Sequence, residues 1–278
     1  MTTARTNYKP TGCKAFGSKL SVREMLQVER RVQVIRNRME RWLLRKYREM
    51  FRTLQEHIES LSQDRVPTDT ELMQLIAEFR ADQETVLRMY YDNLFPKIEE
   101  LIVPDEKIKA WSDGRETKDR DEFQRIMDDW LTKLMGIHIV QISDETLNAC
   151  RILCRQSAND PVVFMDLLRD SGLFGAVRAR RIAVTETTSG INSAMQRASE
   201  QVAQNKPRVK IWHTTGRLNV RSTHKMMAGQ TIDADELFRV PREDGSYDLM
   251  MYPGDSTHGA SAANIVNCHC MVFYKFKK

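Results

Sequence analysis

The apolar residues in the first third of the chain fall at helical intervals. Val28, Val32, Ile35, Met39 and Trp42 recur at steps of four, three, four and three, and Leu43, Tyr47, Met50, Leu54, Ile58 and Leu61 extend the stripe. No Gly or Pro interrupts the run between Ser21 and Pro67. The pattern predicts a helix of about 40 residues, roughly 60 Å long at 1.5 Å per residue. Such a length suits an arm, a coiled coil or a long hairpin better than an ordinary domain helix. The segment 65–71 then reads as a turn with helix-start chemistry, Thr68 or Asp69 being the cap. Leu72, Leu75, Ile76, Phe79, Val86, Leu87 and Tyr90 mark a second helix ending before Pro96, which would fold back on the first as an antiparallel pair.

Further along, residues 112–121 carry no apolar side chain and read as an exposed loop. Helices are predicted at about 121–135, 143–156, 161–169 and 174–204, with Ser143 and the Asn159-Asp160-Pro161 run as caps. The short apolar run 137–142 suits a strand as well as a helix. Beyond Lys206-Pro207 the pattern changes to β-prone runs at 209–212, 237–240, 249–252 and 271–276, separated by Gly, Asp, Ser and Pro. Val272, Tyr274 and Phe276 alternate with Phe273, Lys275 and Lys277, as in a half-buried strand. The expected fold is mainly α, with a long N-terminal helical arm or hairpin and a small α+β C-terminal module. Its divisions are a flexible terminus (1–20), a helical arm or body (21–135), a second helical part (136–205) and the α+β part (206–278).

Composition narrows the class. With 278 residues, 41% hydrophobic and 29% charged, the chain is long enough for two modest folded units. No apolar run approaches the roughly 20 residues of a membrane span, so no membrane partner is expected. The terminus lacks the apolar core of a secretion signal, and five cysteines fit reduced thiols in a cytoplasm. The net charge of +5 is concentrated: from Arg23 to Arg52 ten Lys or Arg face four Glu. Arg30, Arg31, Arg36, Arg38, Arg41, Arg45, Lys46 and Arg48 are therefore the candidate contacts for a phosphate backbone or an acidic protein surface. The bland alternative is a solvated face paired with Glu49, Glu56 and Glu59.

A series of short motifs follows. Arg181, Thr185 and Glu186 stand in the run Arg180-Arg-Ile-Ala-Val-Thr-Glu-Thr, with Asn192 one and a half turns on. Trp212 is followed at plus nine by Arg221, at plus twelve by His224 and at plus seventeen by Gly229; Phe238, Pro253-Gly254 and Asn267-Cys268-His269-Cys270 complete it. In this order and spacing the chain resembles the head-morphogenesis (Mu F-like) family of tailed-phage minor capsid proteins, over about residues 140–275. Two positions depart from the family: Arg217 stands where it usually has Asp, and Asn219 where it has Arg.

The resemblance implies a virion protein of few copies per head, at the head interior or portal vertex after assembly in the host cytoplasm. It would contact the portal protein and double-stranded DNA, with the major capsid or a scaffold protein as further partners, and assist head assembly or genome delivery.

Chemistry is sparser. Glu186, Arg221 and His224 are the residues a hydrolase or nuclease would use, Glu186 and His224 as an acid–base pair. No nucleophile elbow, zinc-protease helix or phosphate loop accompanies them, and a buried polar network that pins the helix onto the sheet is the preferred reading. The chain demands no cofactor, but Cys268 and Cys270, two apart, would share one face of a strand. With His224 and either His258 or His269 they would satisfy tetrahedral Zn²⁺, His258 being preferred because His269 would project to the opposite face. Buried small hydrophobes or a redox pair are the other readings. A stand-alone, non-specific DNA-binding module is a further functional alternative. Trp42 and Trp212 are read as core, and His57 and His138 receive no role.

Overall fold

The computed structural model describes residues 22–102, 117–203, 206–215 and 220–277. The N-terminal segment 1–20, residues 112–116 of the predicted loop, Arg217 and Asn219 lie outside them; the rest of that loop, 117–121, is helical, which corrects the expectation there. The element order is α1 (Val22–Leu61), α2 (Asp69–Ile102), α3 (Thr117–Gln156), α4 (Pro161–Asp170), α5 (Ala176–Ala203), β1 (Arg208–His213), α6 (Ser222–Met227), β2 (Thr231–Asp233), β3 (Phe238–Pro241), β4 (Tyr247–Met250), α7 (Ala262–Ile265) and β5 (Met271–Phe276). The molecule is mainly helical with a small C-terminal β module, as the apolar patterning predicts. Among the described residues no helix is long and apolar enough to cross a membrane.

Helix α1 spans 40 residues and buries its predicted stripe, Val28, Val32, Met39, Leu43, Tyr47, Leu54 and Ile58, from end to end. It packs on α2 and α5, so the described part of α1 is one side of a hairpin rather than a projecting arm. The turn into α2 is closed by a capping box: Thr68 Oγ1 accepts the Glu71 N–H at 3.3 Å, while Glu71 Oε2 accepts the Thr68 N–H at 2.9 Å. Arg65 adds a two-pronged contact to Glu71, and these donors hold the Glu71 carboxyl down at about 2.

Three local expectations are corrected. Helix α2 runs through Pro96 to Ile102, because Leu94, Phe95, Ile98 and Ile102 stay buried. Their packing outweighs the roughly 3 kcal/mol that an interior proline costs. Helix α3 is continuous where a break and a strand at 137–142 were open; His138, Ile139, Ile142, Ser143, Thr146 and Cys150 form a buried helical stripe. Ser143 is accordingly no cap, and its Oγ accepts a hydrogen bond from Gln83 Nε2 of α2 at 2.9 Å. Asp160 does cap α4, accepting the Val162 and Val163 amides ahead of Pro161 at the first helical turn.

Helix α5 is buried almost all round between Ile182 and Ala198, with small residues where neighbours come close. At Gly190 an added Cβ would lie 2.7 Å from Tyr91 Cε1 and 2.8 Å from Leu94 Cδ2, so α2 crosses there at a distance only glycine permits. The other side of α5 packs on β5, in an antiparallel sheet of order β2-β1-β5. Met271 to Tyr274 are all buried, which corrects the half-buried expectation. One face of the sheet is under α5; on the other, Phe273 packs edge-on to His213, which itself meets Glu29 of α1 at 3.1 Å. Strands β3 and β4 form a separate hairpin.

Candidate functional site

The segment 267–272 carries both cysteines of the C-terminal motif, and four side chains of α5 and α1 fix it. Thr185 Oγ1 accepts the Asn267 N–H at 3.0 Å, where Asn267 takes a left-handed turn (φ 58°). Thr188 Oγ1 donates to the Cys268 carbonyl and accepts from Arg36 Nη1 at 2.8 Å. Asn192 donates to the carbonyls of Cys270 (3.0 Å) and Pro253 (2.8 Å), and accepts the Val272 N–H at 2.9 Å. A helix interior would ordinarily disfavour Thr and Asn; here each hydroxyl or amide satisfies backbone that irregular, buried structure would otherwise orphan.

Opposite this segment stands α6. Arg221, at its N-cap, donates to the Val266 carbonyl, and Thr223 donates to Asn264 Oδ1 at 3.2 Å. Asn264 in turn is held by Asp248 Oδ2 (2.8 Å), which also accepts from Ser261. Trp212 of β1, fully buried, packs edge-on against both His224 (5.3 Å) and Phe238 (5.2 Å). Its carbonyl accepts the Gly229 N–H at 2.8 Å, in a turn whose φ of 80° suits glycine. The spacing from Trp212 to Arg221, His224 and Gly229 is therefore the length of chain that leaves β1, forms α6 and returns to Trp212.

This arrangement brings His224, Cys268 and Cys270 together, all buried. His224 Nδ1 lies 3.5 Å from each Sγ, and the Cys270 N–H reaches Cys268 Sγ at 3.4 Å. The Cys270 thiol, more than burial opposes it and with His224 assisting, pushes the Cys268 thiol well below its ordinary range. Cys270 is pushed up by that same hydrogen bond and by burial. A cleft of about 420 Å³ borders all three, with Glu40, Arg180, Arg221 and His269 also on its wall. Thiolate and imidazole are the donors that bind Zn²⁺.

Neither of the two proposed fourth ligands joins them. His258 is held by Asp255 Oδ2 at 2.7 Å in the turn after β4, which corrects its place in the metal set. His269 does line the cleft, but its Nδ1 faces Arg36 and Glu40. No family model, curated protein or solved structure matches the chain.

The acid–base pair is also separated. Glu186 accepts from the Tyr91 hydroxyl at 2.8 Å and pairs with His138 Nδ1 at 2.7 Å, while His224 is committed to the thiols. His138 Nε2 meets Ser256 Oγ at 2.8 Å. Burial pushes the His138 imidazolium toward losing its proton, but the Glu186 carboxylate, aided by Asp255, outweighs it and raises the pKa overall. The order Ser256, His138, Glu186 has the connectivity of a nucleophile relay. However, the cleft of about 430 Å³ bordered by His138 and Glu186 does not reach Ser256, which is only 9% exposed. The group therefore ties α2, α3 and α5 to the turn at 252–258. Its sequence signal was His138 falling in register with Ile139 and Ile142 on the buried stripe of α3.

The basic residues of α1 divide. Arg36 is fully buried and bound to Thr188, so it is withdrawn from the candidate contacts. Lys46 is paired with Glu49 at 2.9 Å, and Arg31 is half-buried. Arg30, Arg38, Arg41, Arg45 and Arg48 are exposed, the last four recurring at steps of three, four and three along one side of the helix.

Proposed function

We propose that this chain is a minor head protein of a tailed phage, docking on the portal and touching packaged DNA without reading its sequence. The supporting observation is the convergence of the motif series. Thr185, Asn192, Trp212, Arg221, His224, Gly229, Asn267, Cys268 and Cys270, spread over about 85 positions, meet around one buried knot in which each fixes another. A spacing rule of that kind is a rule about a fold, and this supports reading the resemblance as structural kinship. The exposed arginines of α1 supply the second element, since guanidinium groups spaced along a helix neutralise phosphates regardless of base. The hydrolase alternative loses its central contact, because Glu186 and His224 keep separate partners.

The test is capture on immobilised portal protein of the same phage, at low and high salt, with and without DNA, beside mass spectrometry of purified particles. The reading expects the chain in particles and retained by portal. It also expects DNA binding whose dependence of log affinity on log salt flattens by roughly three to four when Arg38, Arg41, Arg45 and Arg48 are changed to Gln. Absence from particles together with failure to bind portal overturns it; DNA binding alone would then leave a stand-alone nucleic-acid module.

A further inference from the structure

We propose that His224 Nδ1, Cys268 Sγ and Cys270 Sγ hold one Zn²⁺ ion, with water completing the tetrahedron from the side of the adjoining cleft. The geometry is already that of a coordination shell. With Zn–N near 2.0 Å and Zn–S near 2.3 Å, a tetrahedral angle places nitrogen and sulfur about 3.5 Å apart and two sulfurs about 3.8 Å apart. Both Nδ1–Sγ distances here are 3.5 Å, and all three donor atoms lie within 4.8 Å of one another. Two thiols and an imidazole packed for their own sake would gain only weak hydrogen bonds, because sulfur is a poor donor and acceptor.

Two further details point the same way. The Cys270 amide donates to Cys268 Sγ, an interaction that favours the thiolate a metal requires. Two thiolates and one divalent cation sum to zero charge, so the loaded centre is tolerated at full burial. Binding releases the thiol protons, so occupancy falls as pH is lowered. The ion would join α6 to the segment before β5, and it accounts for Cys268 and Cys270 without redox chemistry.

The full chain, purified without added metal and then after incubation with Zn²⁺, is assayed for bound zinc by mass spectrometry and for Co²⁺ absorption as a probe of thiolate ligation. Roughly one ion per chain is expected, with intense sulfur-to-cobalt bands and a melting temperature that falls when a chelator removes the metal. Cys268→Ser and Cys270→Ser should lose the ion, whereas His258→Ala and His269→Ala keep it. His224→Cys guards against simple misfolding: it should still bind Co²⁺, with a spectrum shifted toward three thiolates. Folded wild-type protein that stays below about a tenth of an ion per chain after reconstitution overturns the proposal, as does zinc retained by both serine variants. So does a Cys268–Cys270 disulfide found in both preparations by peptide mapping under non-reducing conditions.

Discussion

Two polar clusters are buried against α5, and they solve the problem of burial in opposite ways. Glu186 and Thr188 are two residues apart, hence about 200° around the helix axis, and they serve different neighbours. On the Glu186 side the tyrosine and serine hydroxyls are hydrogen-bonded at 2.8 Å and the carboxylate and imidazole are joined as an ion pair at 2.7 Å. Around Cys268 the backbone is equally well satisfied, by Thr188 and Asn192, but His224 meets the two thiols only at 3.5 Å and through sulfur, a weak hydrogen-bonding atom. A closed network of hydrogen bonds and an ion pair needs nothing added, whereas three metal-ligand atoms within 4.8 Å of one another suit a shared cation. The first cluster is therefore architecture, and the second is where the proposed metal would bind.

The largest effect should come from opening the closed cluster. Glu186→Ala strands a buried imidazole whose protonation depends on that carboxylate, and breaking such a pair from one side costs about 3–5 kcal/mol. Urea unfolding of the variant measures it. The double variant with His138→Ala should lose less than the sum of the two single changes, as expected for residues in one network. A loss under about 1 kcal/mol for Glu186→Ala would put the two clusters on the same footing and break the contrast.

Much of this was legible beforehand, and the rest was hidden for identifiable reasons. The buried stripe of α1 was readable because 3.6-residue periodicity sustained over many turns admits no other element. Pro96 and the run 137–142 misled because the local signals there are weak beside long-range packing: a proline inside α2 and an apolar hexad inside α3 are settled by the helices across from them. The Cys268, Cys270 and His224 grouping was visible, since a two-residue spacing and a motif order constrain it. The place of His258 was not, because the turn at Pro253-Gly254 sets its direction and pairs it with Asp255. His138 and Arg36 show a further limit. The sequence pattern alone puts Arg36 among the surface contacts and leaves His138 without a role, because both the burial and the partner, Thr188 or Glu186, are chosen by the fold.

A smaller effect sharpens the contrast by perturbing one side of α5 only. Gly190→Ala would press a methyl group into Tyr91 and Leu94, and relief requires Tyr91, the donor to Glu186, to move. Overpacking of this kind costs about 1–3 kcal/mol, read as a lowered urea midpoint with unchanged slope. Zinc content and the Co²⁺ spectrum should be those of the wild type, since the 267–272 segment is held by Thr185, Thr188 and Asn192 instead. Loss of metal in this variant would mean that the two clusters are coupled through α5.

The smallest effect is one of pH. Because Glu186 raises the His138 pKa against burial, the folded state binds a proton more tightly than the unfolded chain does. The resulting stability is fully present below the unfolded value of about 6.5 and is lost as pH rises through the folded value. In Glu186→Gln the carboxylate charge is gone while a hydrogen-bonding side chain stays, so burial, the largest influence on His138, is opposed only by the lesser pull of Asp255 and favours the neutral ring. The stability advantage of wild type over this variant should therefore be greatest near pH 6 and shrink steadily toward pH 9, by about 1.4 kcal/mol for each unit by which the two folded pKa values differ within that window. Unfolding midpoints of both proteins across that range, in chelator so that metal occupancy does not vary, decide it. A difference that stays flat would mean the Glu186 and His138 contact is held by packing with no net proton linkage, and the closed cluster would then owe its stability to shape more than to charge.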